Sequence, residues 1–112
     1  MRKLIVLALV VGCLGVLASI AMAATRSVKV GDNYYVRPSG VPRITVTKGT
    51  TVKWRFVTGT PHTVTVKSGP AHFNSGVRFS GTYSKKLRRR GTYVIYCTIH
   101  GARDQKMKLV VK

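Results

Sequence analysis

Near its end the chain reads Cys97-Thr98-Ile99-His100, with Gln105 and Met107 a few residues further on. A thiolate and an imidazole three residues apart can both face one metal ion if the loop between them curls back. A second imidazole, His62, stands far upstream, directly after Pro61. One sulfur and two ring nitrogens make the trigonal donor set of an electron-transfer copper site, which a weak axial donor completes. Each residue also has an ordinary use. A single Cys is most often a small buried hydrophobe, a His at a strand start is commonly a half-buried polar group, and Cys-x-x-His arises by chance. Zinc takes the same donors, but its structural sites usually need four strong Cys or His ligands. Only His72 is left for that role. It lies in the turn-rich segment Gly69-Pro70-Ala71-His72-Phe73-Asn74, where we expect no ligand.

Something rigid must bring His62 to Cys97, and the pattern of the chain says what it is. Ile44 and Val46 alternate with Arg43, Thr45 and Thr47; Val52, Trp54 and Phe56 alternate with Lys53 and Arg55. The run from His62 to Lys67 sets His62, Val64 and Val66 on one side, and the last run sets Met107, Leu109 and Val111 against Lys106 and Lys108. Period-two alternation marks half-buried strands. Weaker strands are expected near residues 27–30, 34–36, 83–87 and 92–97. Turn signals at Lys48-Gly49, Gly59-Thr60-Pro61, Ser68-Gly69-Pro70, Ser75-Gly76 and Arg90-Gly91 separate them. Seven or eight short strands with no useful amphipathic helix predict an all-β fold, an antiparallel sandwich or Greek-key barrel. His62 then opens one strand and Cys97 closes another, so both sit where strand ends converge.

With 112 residues there is room for one domain. Arg2-Lys3, an uncharged apolar stretch over residues 4–21 and the small-residue ending Ala21-Met22-Ala23 are the parts of a secretory signal. We expect residues 1–23 to be removed and residues 24–112 to form the domain. A retained membrane anchor competes, since roughly 18 apolar residues can span a bilayer. Val10-Val11-Gly12-Cys13 also resembles a lipidation site, although the apolar run continues past Cys13. The expected destination is the periplasm, cell envelope or exterior. Cleavage leaves Cys97 as the one cysteine, so no disulfide can brace this small exported domain. A bound metal would both protect the thiol and tie the fold together.

Twenty Lys and Arg against two carboxylates give a formal charge of +18, two fewer once Arg2 and Lys3 are gone. Such a field draws a protein to anionic surfaces or acidic partners, with salt-sensitive encounter rates. Most of the cations fall on outward strand positions, the signature of a solvated exterior. Lys85-Lys86-Leu87-Arg88-Arg89-Arg90 is denser than solubility requires and is either a docking patch or a charged hairpin end.

Taken in order, Thr51-Val52-Lys53-Trp54, Pro61-His62-Thr63-Val64, Gly69-Pro70, Ser75-Gly76 and Gly91-Thr92-Tyr93-Val94-Ile95-Tyr96-Cys97-Thr98-Ile99-His100 resemble the cupredoxins of the plastocyanin, pseudoazurin and amicyanin kind. The likeness runs from about Ser27 to Lys112. It implies a Greek-key β-sandwich, one type 1 (blue) copper ion and one-electron transfer, with His62, Cys97 and His100 as the equatorial ligands. The chain departs from these proteins at the axial position, where they usually place a Met just before the last strand. Alternation along that strand puts Gln105 there instead. Met107 is the rival if the loop bulges. A Gln oxygen is a harder donor than a thioether; it would favour Cu(II) and lower the reduction potential. The likeness also implies an exposed ring edge on His100 as the short electron path, and a longer route through Tyr96.

The composition argues against an enzyme. Asp32 and Asp104 are the only carboxylates, so no general acid–base pair is visible, and no serine has a plausible triad. The main expectation is therefore a monomeric exported one-electron carrier with an acidic or anionic redox partner, able to associate with membrane surfaces through its charge. Copper storage or delivery without electron transfer is one alternative. A metal-free basic sandwich adhering to an anionic envelope is the other. Nucleic acid is not an expected partner, because export separates the chain from most such targets.

Overall fold

The computed structural model describes residues 24–112. The leader expected at residues 1–23, the anchor alternative and Cys13 lie outside the described residues. Eight strands follow one another: β1 (Thr25–Gly31), β2 (Tyr34–Tyr35), β3 (Arg43–Val46), β4 (Thr51–Phe56), β5 (Thr65–Ser68), β6 (Gly81–Lys86), β7 (Gly91–Tyr96) and β8 (Lys106–Val111). They form two four-stranded sheets, β2-β1-β4-β6 and β3-β8-β7-β5. No helix occurs among the described residues.

Alternation builds the core. Along β4 the branched and aromatic residues Val52, Trp54 and Phe56 are buried while Lys53 and Arg55 face water. Tyr93 and Ile95 of β7 and Met107, Leu109 and Val111 of β8 enclose the same space from the other sheet. Apolar burial of this kind stabilises by roughly 25 cal/mol per Å². Trp54 is the largest of the fully buried side chains, and Phe73 and Tyr83 pack on it with ring centroids 5.9 and 6.0 Å away.

Two expectations need correction. The sandwich is not wholly antiparallel, because β1 runs parallel to β4 and β3 runs parallel to β8. The chain changes sheet after each of β2, β3, β4, β5 and β6, so, β1·β2 and β7·β8 apart, strands that meet as neighbours are not successive in sequence. Alternation reports which face is buried and carries no information on a neighbour's direction.

The strand expected over residues 62–67 begins only at Thr65. Upstream of it, His62 makes a single bridge to Arg78, and Ser75 Oγ accepts the Val64 amide at 2.8 Å. The Thr63 amide points at Cys97 Sγ. Each amide that could extend the ladder to β7 has another partner. His62 and Val64 are nevertheless buried as expected, and Thr63 between them is buried as well.

The indole N–H of Trp54 has no hydrogen-bond partner among the described residues. Truncating a buried Trp to Ala costs about 3–5 kcal/mol, and that loss is expected for Trp54→Ala in urea unfolding. Trp54→Phe should cost markedly less, since it also removes an orphaned donor worth about 1–3 kcal/mol. Equal losses in the two variants would contradict this account.

Candidate metal centre

β7 ends at Tyr96, so Cys97 is the first residue of the loop to β8. The loop is tied to itself from its first residue. The Cys97 amide donates to the Gln105 carbonyl at 3.2 Å, the Gly101 amide to the Cys97 carbonyl at 2.8 Å, and the Gln105 amide to the Gly101 carbonyl at 3.0 Å. Gly101 has φ +82°, in the left-handed region that glycine enters without steric cost. This turn returns His100 over the sulfur, with Cys97 Sγ and His100 Nδ1 3.4 Å apart.

The opposite wall is the segment before β5. Thr63 donates its amide to Cys97 Sγ at 3.4 Å, and its hydroxyl accepts the Thr98 amide at 2.9 Å. These two bonds seat the segment on the start of the Cys97 loop and bring His62 over the same point. The donor atoms of His62, Cys97 and His100 all lie within 4.8 Å of one another. Metal–nitrogen and metal–sulfur bonds of about 2.0–2.3 Å require nearly that spacing. The two imidazole centroids are 5.0 Å apart.

Gln105 closes the cluster. Its Nε2 donates to the carbonyls of Gly31 and Tyr34 at 3.1 and 3.0 Å, which fixes the amide so that Oε1 faces inward. Oε1 lies 2.9 Å from His62 Nδ1 and 3.1 Å from His100 Nδ1. Cys97, His62 and Gln105 are buried, while His100 is half-buried at the surface.

The sequence left Gln105 and Met107 as rivals for one position, and the structure separates them in space. Gln105 borders both imidazoles. Met107 is two residues into β8, opposite Ile95 and within the apolar core. His72 is exposed between β5 and β6 and is not part of the cluster. Tyr96 is half-buried with Lys67 Nζ 5.8 Å from its ring centre.

Asp32 was noted in the sequence only as one of two carboxylates, yet it belongs to the site. Its Oδ1 lies 3.2 Å from His62 Nε2, and Thr60 Oγ lies 3.0 Å from the same nitrogen while donating to Asp32. Hydrogen bonds from Thr60 first, then His62 and Thr58, hold the Asp32 carboxyl below the usual carboxylate range. With Nε2–H given to Asp32, the His62 ring turns a Nδ1 lone pair toward the cluster. A ligating His commonly gives its other N–H to a carboxylate or carbonyl in this way. The available signal was the rarity of an acid in so basic a chain.

A sulfur, two ring nitrogens and an amide oxygen thus converge on one small volume between two sheets. A cation fits that donor set, and the His, His, Cys, weak-oxygen combination fits copper better than zinc.

A β-sandwich with this strand order, carrying a His–Cys–His cluster at one end, is a cupredoxin-like fold. Solved amicyanin structures are similar to it over most of both chains. An oxidised amicyanin variant with Met replaced by Lys is 25% identical, with TM-score 0.65, covering 85% of this chain and 89% of that one. A Met-to-Gln amicyanin variant in the Cu(I) form is 26% identical at the same TM-score and coverage. An oxidised Pro-to-Gly variant is 28% identical, with TM-score 0.63, covering 85% and 88%. No family model and no curated protein sequence matches the chain.

The left-handed backbone of Gly101 gives a direct check on the loop. A residue with a Cβ held there costs about 1–2 kcal/mol, so Gly101→Ala should lower unfolding stability by that amount in urea titration. An unchanged midpoint would mean that the turn is not required.

Proposed function

We propose that this chain is a type 1 copper protein, a small exported carrier of single electrons. The observation that supports it is the convergence of His62, Cys97 and His100 on one point, with Gln105 Oε1 beside them. Copper, when bound, supplies the change between two oxidation states that takes one electron from a reduced partner and gives it to an oxidised one. His62 Nδ1, Cys97 Sγ and His100 Nδ1 would be its equatorial ligands and Gln105 Oε1 its weak axial donor.

The chain's part in transfer is to hold those atoms still. The Thr63 amide on Cys97 Sγ stabilises thiolate charge, and Asp32 with Thr60 orients the His62 ring. The Gly31 and Tyr34 carbonyls prevent the Gln105 amide from flipping. Donors fixed in this way change little between oxidation states, which favours fast exchange. His100 is the one half-buried ligand, so its ring edge is the short path to a partner. Exposed Ile99 beside it offers an apolar contact. Burial of His62, Cys97 and Gln105 speaks for a resident ion rather than cargo for release. We place the protein outside the cytoplasm after loss of residues 1–23, as a monomer meeting an acidic or anionic redox partner. The cupredoxin likeness favours a carrier over an enzyme.

Adding Cu(II) to purified apoprotein should produce an intense visible thiolate-to-copper band, absent in Cys97→Ser. Reversible voltammetry should accompany it. An irreversible wave with easy copper loss would favour storage or delivery, and failure to colour would favour the metal-free sandwich.

The axial assignment has its own test. Gln105→Met should raise the reduction potential while keeping the visible band, because a thioether favours Cu(I) more than an amide oxygen does. Met107→Leu should leave the potential unchanged. A large shift in that variant instead would transfer the axial role to Met107.

A further inference from the structure

At the other end of β7 from Cys97 the surface is concave. A cleft of about 390 Å³ opens between the end of β6, the loop to β7 and the segment after β5. Its apolar side is made by Phe73 with buried Leu87 and Tyr93. Lys85, Lys86, Arg88 and Arg89 stand around it, all exposed. The walls are braced: Tyr93 donates its hydroxyl proton to the Arg89 carbonyl at 2.8 Å, and Lys85 Nζ lies 5.8 Å from the Phe73 ring centre. Gly69 lies flush on Tyr93, where a Cβ would come within 2.9 Å of the ring.

None of these four cations has an anionic partner among the described residues. Asp32 is taken up at the metal end by His62, 3.2 Å away, and the other acidic side chain, Asp104, lies in the Cys97 loop. Lysines on β6, an outer strand of its sheet, also guard against edge-to-edge pairing. That explains Lys85 and Lys86. It does not explain two adjacent arginines beside an aromatic-lined cavity.

We propose that this cleft binds a phosphate ester whose organic part is apolar or aromatic. A carboxylate brings one charge and satisfies one guanidinium fork. A phosphate monoester brings −1.5 to −2 charges and three acceptor oxygens, enough for two forks and two ammonium groups together. Phe73, Leu87 and Tyr93 then cover the attached group, and the volume falls in the range of small-ligand sites. Tyr93 precedes Cys97 by four residues, roughly 13 Å along a strand, so binding here leaves the metal ligands untouched.

The test uses protein expressed from the full sequence and loaded with copper, titrated with phenyl phosphate, inorganic phosphate and phenylacetate. Phenyl phosphate should shift amide resonances at residues 71–73 and 85–93 without altering the visible spectrum. It should bind about tenfold tighter than either fragment. The double variant Arg88→Gln/Arg89→Gln should weaken it by about tenfold, while Lys29→Gln/Lys108→Gln, an equal loss of charge at exposed residues of β1 and β8 that do not line the cleft, should weaken it by about twofold at most. Phosphatidic acid vesicles, whose headgroup is a phosphate monoester, distinguish the source. Capture that fails in the arginine variant, with no capture by phosphatidylcholine, identifies a lipid-borne ester; binding of phenyl phosphate without vesicle capture identifies a soluble one. Equal losses in the two double variants, or equal affinity for phenylacetate, would each overturn the proposal.

Discussion

One buried amide decides how this end of the molecule is arranged. Gln105 gives both Nε2 hydrogens to the main chain of the β1–β2 turn and turns its oxygen to two imidazoles from different parts of the chain. A buried amide left unpaired would cost about 1–3 kcal/mol, so the turn, the Cys97 loop and the segment carrying His62 are held in one mutual arrangement. The same turn carries Asp32 to the outer nitrogen of His62. Few contacts thus fix both imidazoles of the cluster, their orientation and the seating of one sheet on the other.

Around this polar point the protein is apolar and well filled. Tyr35, fully buried in β2, gives its hydroxyl proton to the Thr63 carbonyl at 2.6 Å, and burial pushes its phenol well above the ordinary range. It remains a neutral donor. It anchors the residue whose amide faces the sulfur, so β2 of the first sheet supports the segment that leads into β5 of the second. The cationic exterior takes no part in this.

Much of the fold could be read directly from side-chain alternation. Val52, Trp54 and Phe56, or Met107, Leu109 and Val111, have no other economical explanation, and the structure buries both sets. The convergence of His62 with Cys97 and His100 followed from placing two of them at strand ends and the third on the returning loop. The parallel pairs β1·β4 and β3·β8 were not legible, because they depend on where the chain changes sheets. Nor was the late start of β5, which comes from amides diverted to Ser75 and Cys97. Asp32 was missed for a related reason: its role depends on a neighbour 30 positions away. Local pattern shows what is buried; the diverted hydrogen bonds show what is positioned.

The bond between the Cys97 amide and the Gln105 carbonyl has a broader consequence. It continues the β7·β8 ladder one step past the Tyr96–Lys106 pair, so the loop is pinched shut at its base. Whatever lies between those two residues can lengthen or shorten without disturbing the sheets. Closure entropy changes slowly, by roughly 0.6 kcal/mol for each doubling of length. The interval holds one histidine of the cluster and ends on the glutamine that borders both. Insertions or deletions there would reshape the mouth of the site as an exchangeable module, while the sandwich beneath keeps its register.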